Sequence, residues 1–143
     1  MSLAFQRDFD PRHGEPVEVG PGIVRITAPN AGPMTFTGTN SYLVGGERLV
    51  LVDPGPGDGR HLAALLAAIG DRPLDGVLVT HTHLDHTGLA ARLRAATGAP
   101  FLGEGPHRIS RVLAPGETNL LDAASDHDFR PDRVLADGET FAL

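Results

Sequence analysis

Apolar and polar side chains alternate over residues 22–28 (Gly-Ile-Val-Arg-Ile-Thr-Ala), which predicts a strand with one face in a core. Residues 40–44 predict a second strand and 48–52 a third, with Gly45-Gly46 as the hairpin turn between them. Asp53-Pro54-Gly55-Pro56-Gly57 ends the third strand abruptly. Over 60–69, Leu62, Leu65, Leu66 and Ile69 recur at helical spacing with alanines between them, and Gly70 stands where a C-cap glycine belongs. A strand follows at 76–80, then a helix over 87–97 with Leu89 and Leu93 on one side, and a short strand at 100–103. Residues 1–22 read as irregular with an edge strand at 16–19, and 29–38, with two prolines and two glycines, as a loop. Periodicity is poor over 105–131. Residues 133–136 and 139–143 predict two strands joined at Asp137-Gly138.

Leu49-Val50-Leu51-Val52 and Val77-Leu78-Val79 are apolar at consecutive positions, so these strands need cover on both faces. Helices supply one cover. The other must come from elsewhere, partly beyond Leu143. The expected class is α/β, a mixed sheet with flanking helices, in a single domain over 1–143 that is incomplete at its carboxyl end.

Composition narrows the chemistry. The chain has 143 residues, 41% of them hydrophobic and 21% charged, with a net charge of −6, as in an ordinary globular domain. No basic run marks a strongly electrostatic nucleic-acid binder. The longest mostly apolar stretch, 62–69, is too short to cross a bilayer, and the amino terminus lacks a signal pattern, so a cytoplasmic location is expected. Without cysteine, any metal must be held by nitrogen and oxygen.

Residues 81–86 supply such donors. His81-Thr82-His83-Leu84-Asp85-His86 packs three imidazoles and a carboxylate between a predicted strand and a predicted helix. Loops at the carboxyl ends of strands are where α/β proteins place active sites. If the strand geometry continues, His81 and His83 point to one side and can share a metal. Asp85 and His86, at the turn into the helix, can reach a second ion. Two adjacent ions lower the pKa of bound water to near 7 and stabilise the oxyanion of a hydrolytic transition state. Asp85 can also orient the attacking group. Asp53 is placed either to accept a hydrogen bond from a ligating His or merely to cap its turn.

Thr80-His81-Thr82-His83-Leu84-Asp85-His86-Thr87-Gly88 resembles the metallo-β-lactamase superfamily signature T-H-x-H-x-D-H-x-G, and Gly38-Thr39-Asn40-Ser41-Tyr42-Leu43-Val44 and Leu51-Val52-Asp53-Pro54-Gly55 resemble its upstream motifs. The likeness is to the branch of endoribonuclease-like and glyoxalase-II-like hydrolases. It implies an αββα sandwich with a binuclear zinc site, His81 and His83 on the first metal, Asp85 and His86 on the second, Asp53 near the site, and Asn40 and Tyr42 on the bordering strand. Two Zn2+ are implied for the complete domain; a His/Asp site also accepts iron or manganese. The implied reaction is hydrolysis of an ester, thioester, amide or phosphodiester, on a small-molecule or single-stranded nucleic-acid substrate. The family's remaining ligands lie downstream of a segment like Leu135-Ala136-Asp137-Gly138-Glu139-Thr140-Phe141, so the chain resembles an amino-terminal half, expected to be weak or inactive alone.

His107, Asp126, His127 and Asp128 can be nominated as substitute ligands, but they lack ligand spacing, and His13, His61, His107 and His127 read as surface or capping residues. Arg92, Arg94, Arg108 and Arg111 either bind an anionic substrate or line solvated faces. The glycines after Pro54 lack the Lys of a phosphate loop. Two rival readings remain. One is a non-catalytic metal-binding or assembly module that completes its sheet by self-association or with a partner. The other is an iron-binding redox member of the same superfamily.

Overall fold

Among the described residues, seven strands pair in the order in which they occur along the chain. The computed structural model describes residues 8–109 and 111–140. β1 (Val17–Gly20), β2 (Ile23–Thr27), β3 (Asn40–Gly45) and β4 (Leu49–Val52) form an antiparallel meander. β5 (Leu74–Val79), β6 (Phe101–Gly103) and β7 (Arg133–Val134) extend it in parallel. The mixed sheet agrees with the sequence expectation, and the β3–β4 hairpin turn falls at 46–48, because Gly45 still pairs with Leu49 in the sheet.

Parallel neighbours need crossovers, and helices supply them. α1 (Gly59–Ile69) links β4 to β5; α2 (Leu84–Thr87) and α3 (Ala90–Thr97) link β5 to β6. Both crossovers step the same way across the sheet, so right-handed connections put the helices on one face. The core sits there: Ile26, Leu43, Leu51, Val77, Val79 and Phe101 of the sheet meet Leu65 and Ile69 of α1, and Leu89 and Leu93. On the other face Tyr42, Val44, Val52 and Leu78 are half-buried, outside that cluster. Leu102 lies across Gly76, where a Cβ would sit 2.5 Å from its Cδ1.

Two expectations need correction. The helix expected over 87–97 is broken. α2 is a single turn, and Leu89 N–H donates to the Gly55 carbonyl (3.1 Å), which draws the chain aside before α3 starts. The final strand pair is not formed as expected: β7 is two residues long and parallel to β6, Glu139 and Thr140 are not in a strand, and 141–143 lie outside the described residues. The poorly periodic segment contains one short helix, α4 (Leu120–Ala123), capped by Asn119 Oδ1.

Gly88 makes this crossing possible. A Cβ there would lie 2.5 Å from Gly57 N and 2.6 Å from Leu84 O, both backbone atoms that cannot swing aside. We expect Gly88→Ala to lower stability by about 2 kcal/mol, read from the urea midpoint at constant m-value. An unchanged midpoint would refute the packing described.

His61, in the first turn of α1, is fully buried; its Nε2 pairs with Ser41 Oγ at 2.8 Å, and its Nδ1 has no hydrogen-bond partner among the described residues. Burial, only weakly opposed by the Asp58 charge, pushes its pKa from 6.5 down to about 4. The folded state therefore holds it neutral, while the unfolded chain takes up a proton below pH 6.5. This contribution is complete above that pH and is lost as pH falls toward 4. Between pH 7 and pH 5, we expect the wild type to lose about 2 kcal/mol more than His61→Gln, measured by denaturant titration at both pH values. Equal losses would show that His61 is not the titrating group.

Candidate functional site

The carboxyl ends of β4 and β5 lie side by side, and two loops leave them. β5 ends at Val79, the chain bends at Thr80, and His83 is again extended (φ −66°, ψ 142°) before α2 begins. His81 and His83 face each other across this loop, with His81 Nε2 3.1 Å from His83 Nδ1. The first turn of α2 carries Asp85 and His86 back toward them. The His86 ring centroid is 4.1 Å from that of His81, and His86 Nε2 is 3.3 Å from Asp85 Oδ2. The structure thus links the four residues singled out in the sequence by successive contacts, His83 to His81, His81 to His86 and His86 to Asp85.

Asp53 organises the group from the β4 loop. It is 4% exposed and adopts φ +55°, a left-handed conformation that Asp tolerates better than most residues. Its carboxylate accepts hydrogen bonds from Thr80 N (2.8 Å), Thr80 Oγ1 (2.7 Å) and His86 Nδ1 (2.8 Å). An ionised carboxylate only accepts, so a proton of His86 sits on Nδ1, and Nε2 is the nitrogen turned toward Asp85. Thr80 has one hydroxyl proton, and Asp53 takes it. The Thr80 oxygen therefore accepts from His81 Nδ1 at 3.0 Å, which leaves the His81 lone pair on Nε2.

Asp85 is steered separately. Thr39 Oγ1 donates to Asp85 Oδ2 (2.7 Å), and Thr39 is itself held by Asn30 through its N–H (2.9 Å) and its Oγ1 (3.1 Å). Burial pulls the His81 pKa down, helped by His86 and His83 and partly offset by Asp53 and Asp85. Burial pulls on His86 too, but the hydrogen bond to Asp53 and the charges of Asp53 and Asp85 outweigh it, and the net shift is upward. Two imidazoles that offer Nε2, a third imidazole and a steered carboxylate form a nitrogen and oxygen donor set that suits zinc, iron or manganese. An open cleft of ≈ 330 Å³ reaches the Asp85 and His86 side of this set, lined in part by Asn40, Tyr42, Asp53, Asp85 and His86.

The other nominated residues separate by position. Asp126 Oδ1 accepts from the N–H groups of Asp128 and Phe129, a turn cap. Asp128 is exposed. The rings of His107 and His127 meet edge-on at 4.4 Å, and beside them lies Asp122, which sequence reasoning did not single out. Arg94 pairs with Asp132 at 2.6 Å and lies over Phe101, while Arg108 and Arg111 pair with Glu104 and Glu117. Thr39 and Asn30 were also missed; the only signal was Thr39 within the quoted upstream motif.

A family profile described as "Metallo-beta-lactamase superfamily" matches residues 34–136, most of the chain. The chain belongs to the metallo-beta-lactamase superfamily. It is 44% identical over 131 residues to an atrochrysone carboxyl ACP thioesterase from Aspergillus fumigatus, covering 87% of this chain and 35% of that protein. It is 37% identical over 81 residues to a beta-lactamase-like protein 2 homolog from Caenorhabditis elegans, covering 53% and 28%. Among solved structures, a motif mutant of the metallo-beta-lactamase from Cronobacter sakazakii superposes with a TM-score of 0.63 at 25% identity, over 90% of this chain and 50% of that one. The chain spans about a third of the length of these curated relatives. Its fold is thus that of a superfamily built to hold divalent metal, typically zinc, and the donor set described above fits such a group. Among the described residues, no helix is long and apolar enough to cross a membrane.

Asp53→Asn keeps the shape but presents an amide beside His86 and Thr80. We expect it to weaken Zn2+ binding about 10- to 100-fold, read by competition with a chromophoric chelator. Undiminished affinity would mean that Asp53 serves only to cap its turn.

Proposed function

We propose that this chain is the metal-holding part of a metal-dependent hydrolase, with zinc as the resident metal and a thioester as the bond cleaved. The observation that carries the reading is the convergence of His81, His83, Asp85 and His86 at the carboxyl end of β5. His81 and His83 would hold one ion, and Asp85 and His86 a second. Bound there, divalent ions supply Lewis acidity and a nucleophile at neutral pH.

The chain's own residues do the rest. Asp53 keeps the protons of His86 and, through Thr80, of His81 on Nδ1, so that both Nε2 atoms stay free. Thr39 holds Asp85 by Oδ2, which leaves Oδ1 free to accept a proton from water in the cleft. The thioester is favoured over an ester, amide or phosphodiester by the relative named as an acyl-carrier-protein thioesterase. The half-buried face of Tyr42, Val44, Val52 and Leu78 supports a second reading, an assembly module that binds metal without catalysis.

The test is Zn2+ loading followed by assay of a thioester, an ester, a β-lactam and a phosphodiester. Both the chain and any longer polypeptide that contains it are assayed. We expect thioester hydrolysis that chelation abolishes, with His83→Ala and His86→Ala each binding Zn2+ about tenfold more weakly or worse. Tight binding with no hydrolysis of any substrate would favour the module reading. No Zn2+ binding lost in these variants would defeat both.

A further inference from the structure

We propose that His107, Asp122 and His127 form a second divalent-cation site of the zinc class, outside the His81–His86 group. One ligand atom from each of the three lies within 4.8 Å of the others. His107 Nε2 is 2.7 Å from Asp122 Oδ1, and the rings of His107 and His127 stand 4.4 Å apart. Zinc bound at about 2.0–2.2 Å to nitrogen and oxygen sets tetrahedral donors about 3.3 Å apart, so a cation replaces the proton now shared by His107 and Asp122 with small adjustments.

The surroundings are those of a ligating set. Ligating histidines pass their second nitrogen to a hydrogen-bond partner. His107 Nδ1 has Thr82 Oγ1 at 2.8 Å. His127 Nε2 is 3.0 Å from the Asp122 carbonyl, which only accepts, so the free lone pair of His127 is on Nδ1. Asp122 sits on α4, whose start is capped by Asn119. Main-chain bonds from Leu84 N to Ala124 O (2.9 Å) and from Asp126 N to Thr82 O (2.6 Å) fix the far side of the cluster to the loop of His81 and His83. His107 and Asp122 are largely buried.

Apart from Phe129 in the core and those main-chain bonds, the segment that carries these residues has few apolar anchors. Ile109, Val112, Leu120 and Leu121 are all exposed, so hydrophobic packing contributes little there. A cross-link between His107, α4 and His127 supplies the missing restraint, as metal does in other segments with small cores. Of the three, His107 also lines a cavity of ≈ 350 Å³ that it shares with His81 and His83. This proposal does not rest on the hydrolase reading.

The test is Zn2+ titration of the full chain carrying His81→Ala, His83→Ala and His86→Ala, followed by calorimetry and by imidazole NMR. We expect one equivalent to bind, with shifts in the His107 and His127 ring signals, and adding His127→Ala to weaken binding about tenfold or more. A folded triple variant that takes up no Zn2+, or does so with those signals unmoved, overturns the proposal. If the triple variant does not fold, the otherwise native protein is compared with His127→Ala alone. A stoichiometry lower by one equivalent in His127→Ala supports the site, and an equal one overturns it. Loss of the site would leave binding at His81–His86 intact, and loss of that binding would leave the His107 and His127 shifts in place, so the two failures are distinguishable.

Discussion

The buried carboxylate of Asp53 is the constraint on which the rest of the site depends. A charge so poorly exposed is costly unless every lone pair that faces protein is used. Three donors meet it here, two from Thr80 and one from His86. Each of those bonds has a second effect. The Thr80 N–H ties the ends of β4 and β5 together, the hydroxyl sets the proton of His81, and the imidazole bond sets the proton of His86. Burial of one anion thereby fixes two tautomers that no feature of the histidines alone would determine.

The sheet explains why this anion stands where it does. β4 and β5 are parallel, so both release their chains at the same edge, and β3 runs the opposite way and starts there. Thr39 and Asn40 thus enter the sheet beside the point where Asp53 leaves it. Side chains from three strand ends meet here, and the loop between β2 and β3 that brings Thr39 is itself held by Asn30. The helices pack on one face and build the core, while the site forms on the edge.

What the sequence revealed depended on how local the interaction is. The four donors lie within six residues, so spacing alone placed them together. Asp53 was legible as a carboxylate at a strand end, though both of its roles stayed open until His86 was found 2.8 Å away. Thr39 meets Asp85 across 46 positions of sequence, and no local pattern reports such a contact. Asp122 lay in a segment without periodicity, where the residue types gave no ranking. The interrupted helix was missed for a related reason: the residues of 87–97 favour a helix, and the competing partner is a carbonyl at Gly55, far back in the chain.

That interruption has a mechanical result. Gly55 N–H donates to the His86 carbonyl and the Gly55 carbonyl accepts from Leu89 N–H, so the turn that bears Asp85 and His86 is referenced to the β4 loop and not to the long axis of α3. Arg92, Ala95 and Ala96 on the outward side of α3 are exposed and carry none of the donors, so labels or tethers can be attached there away from the site.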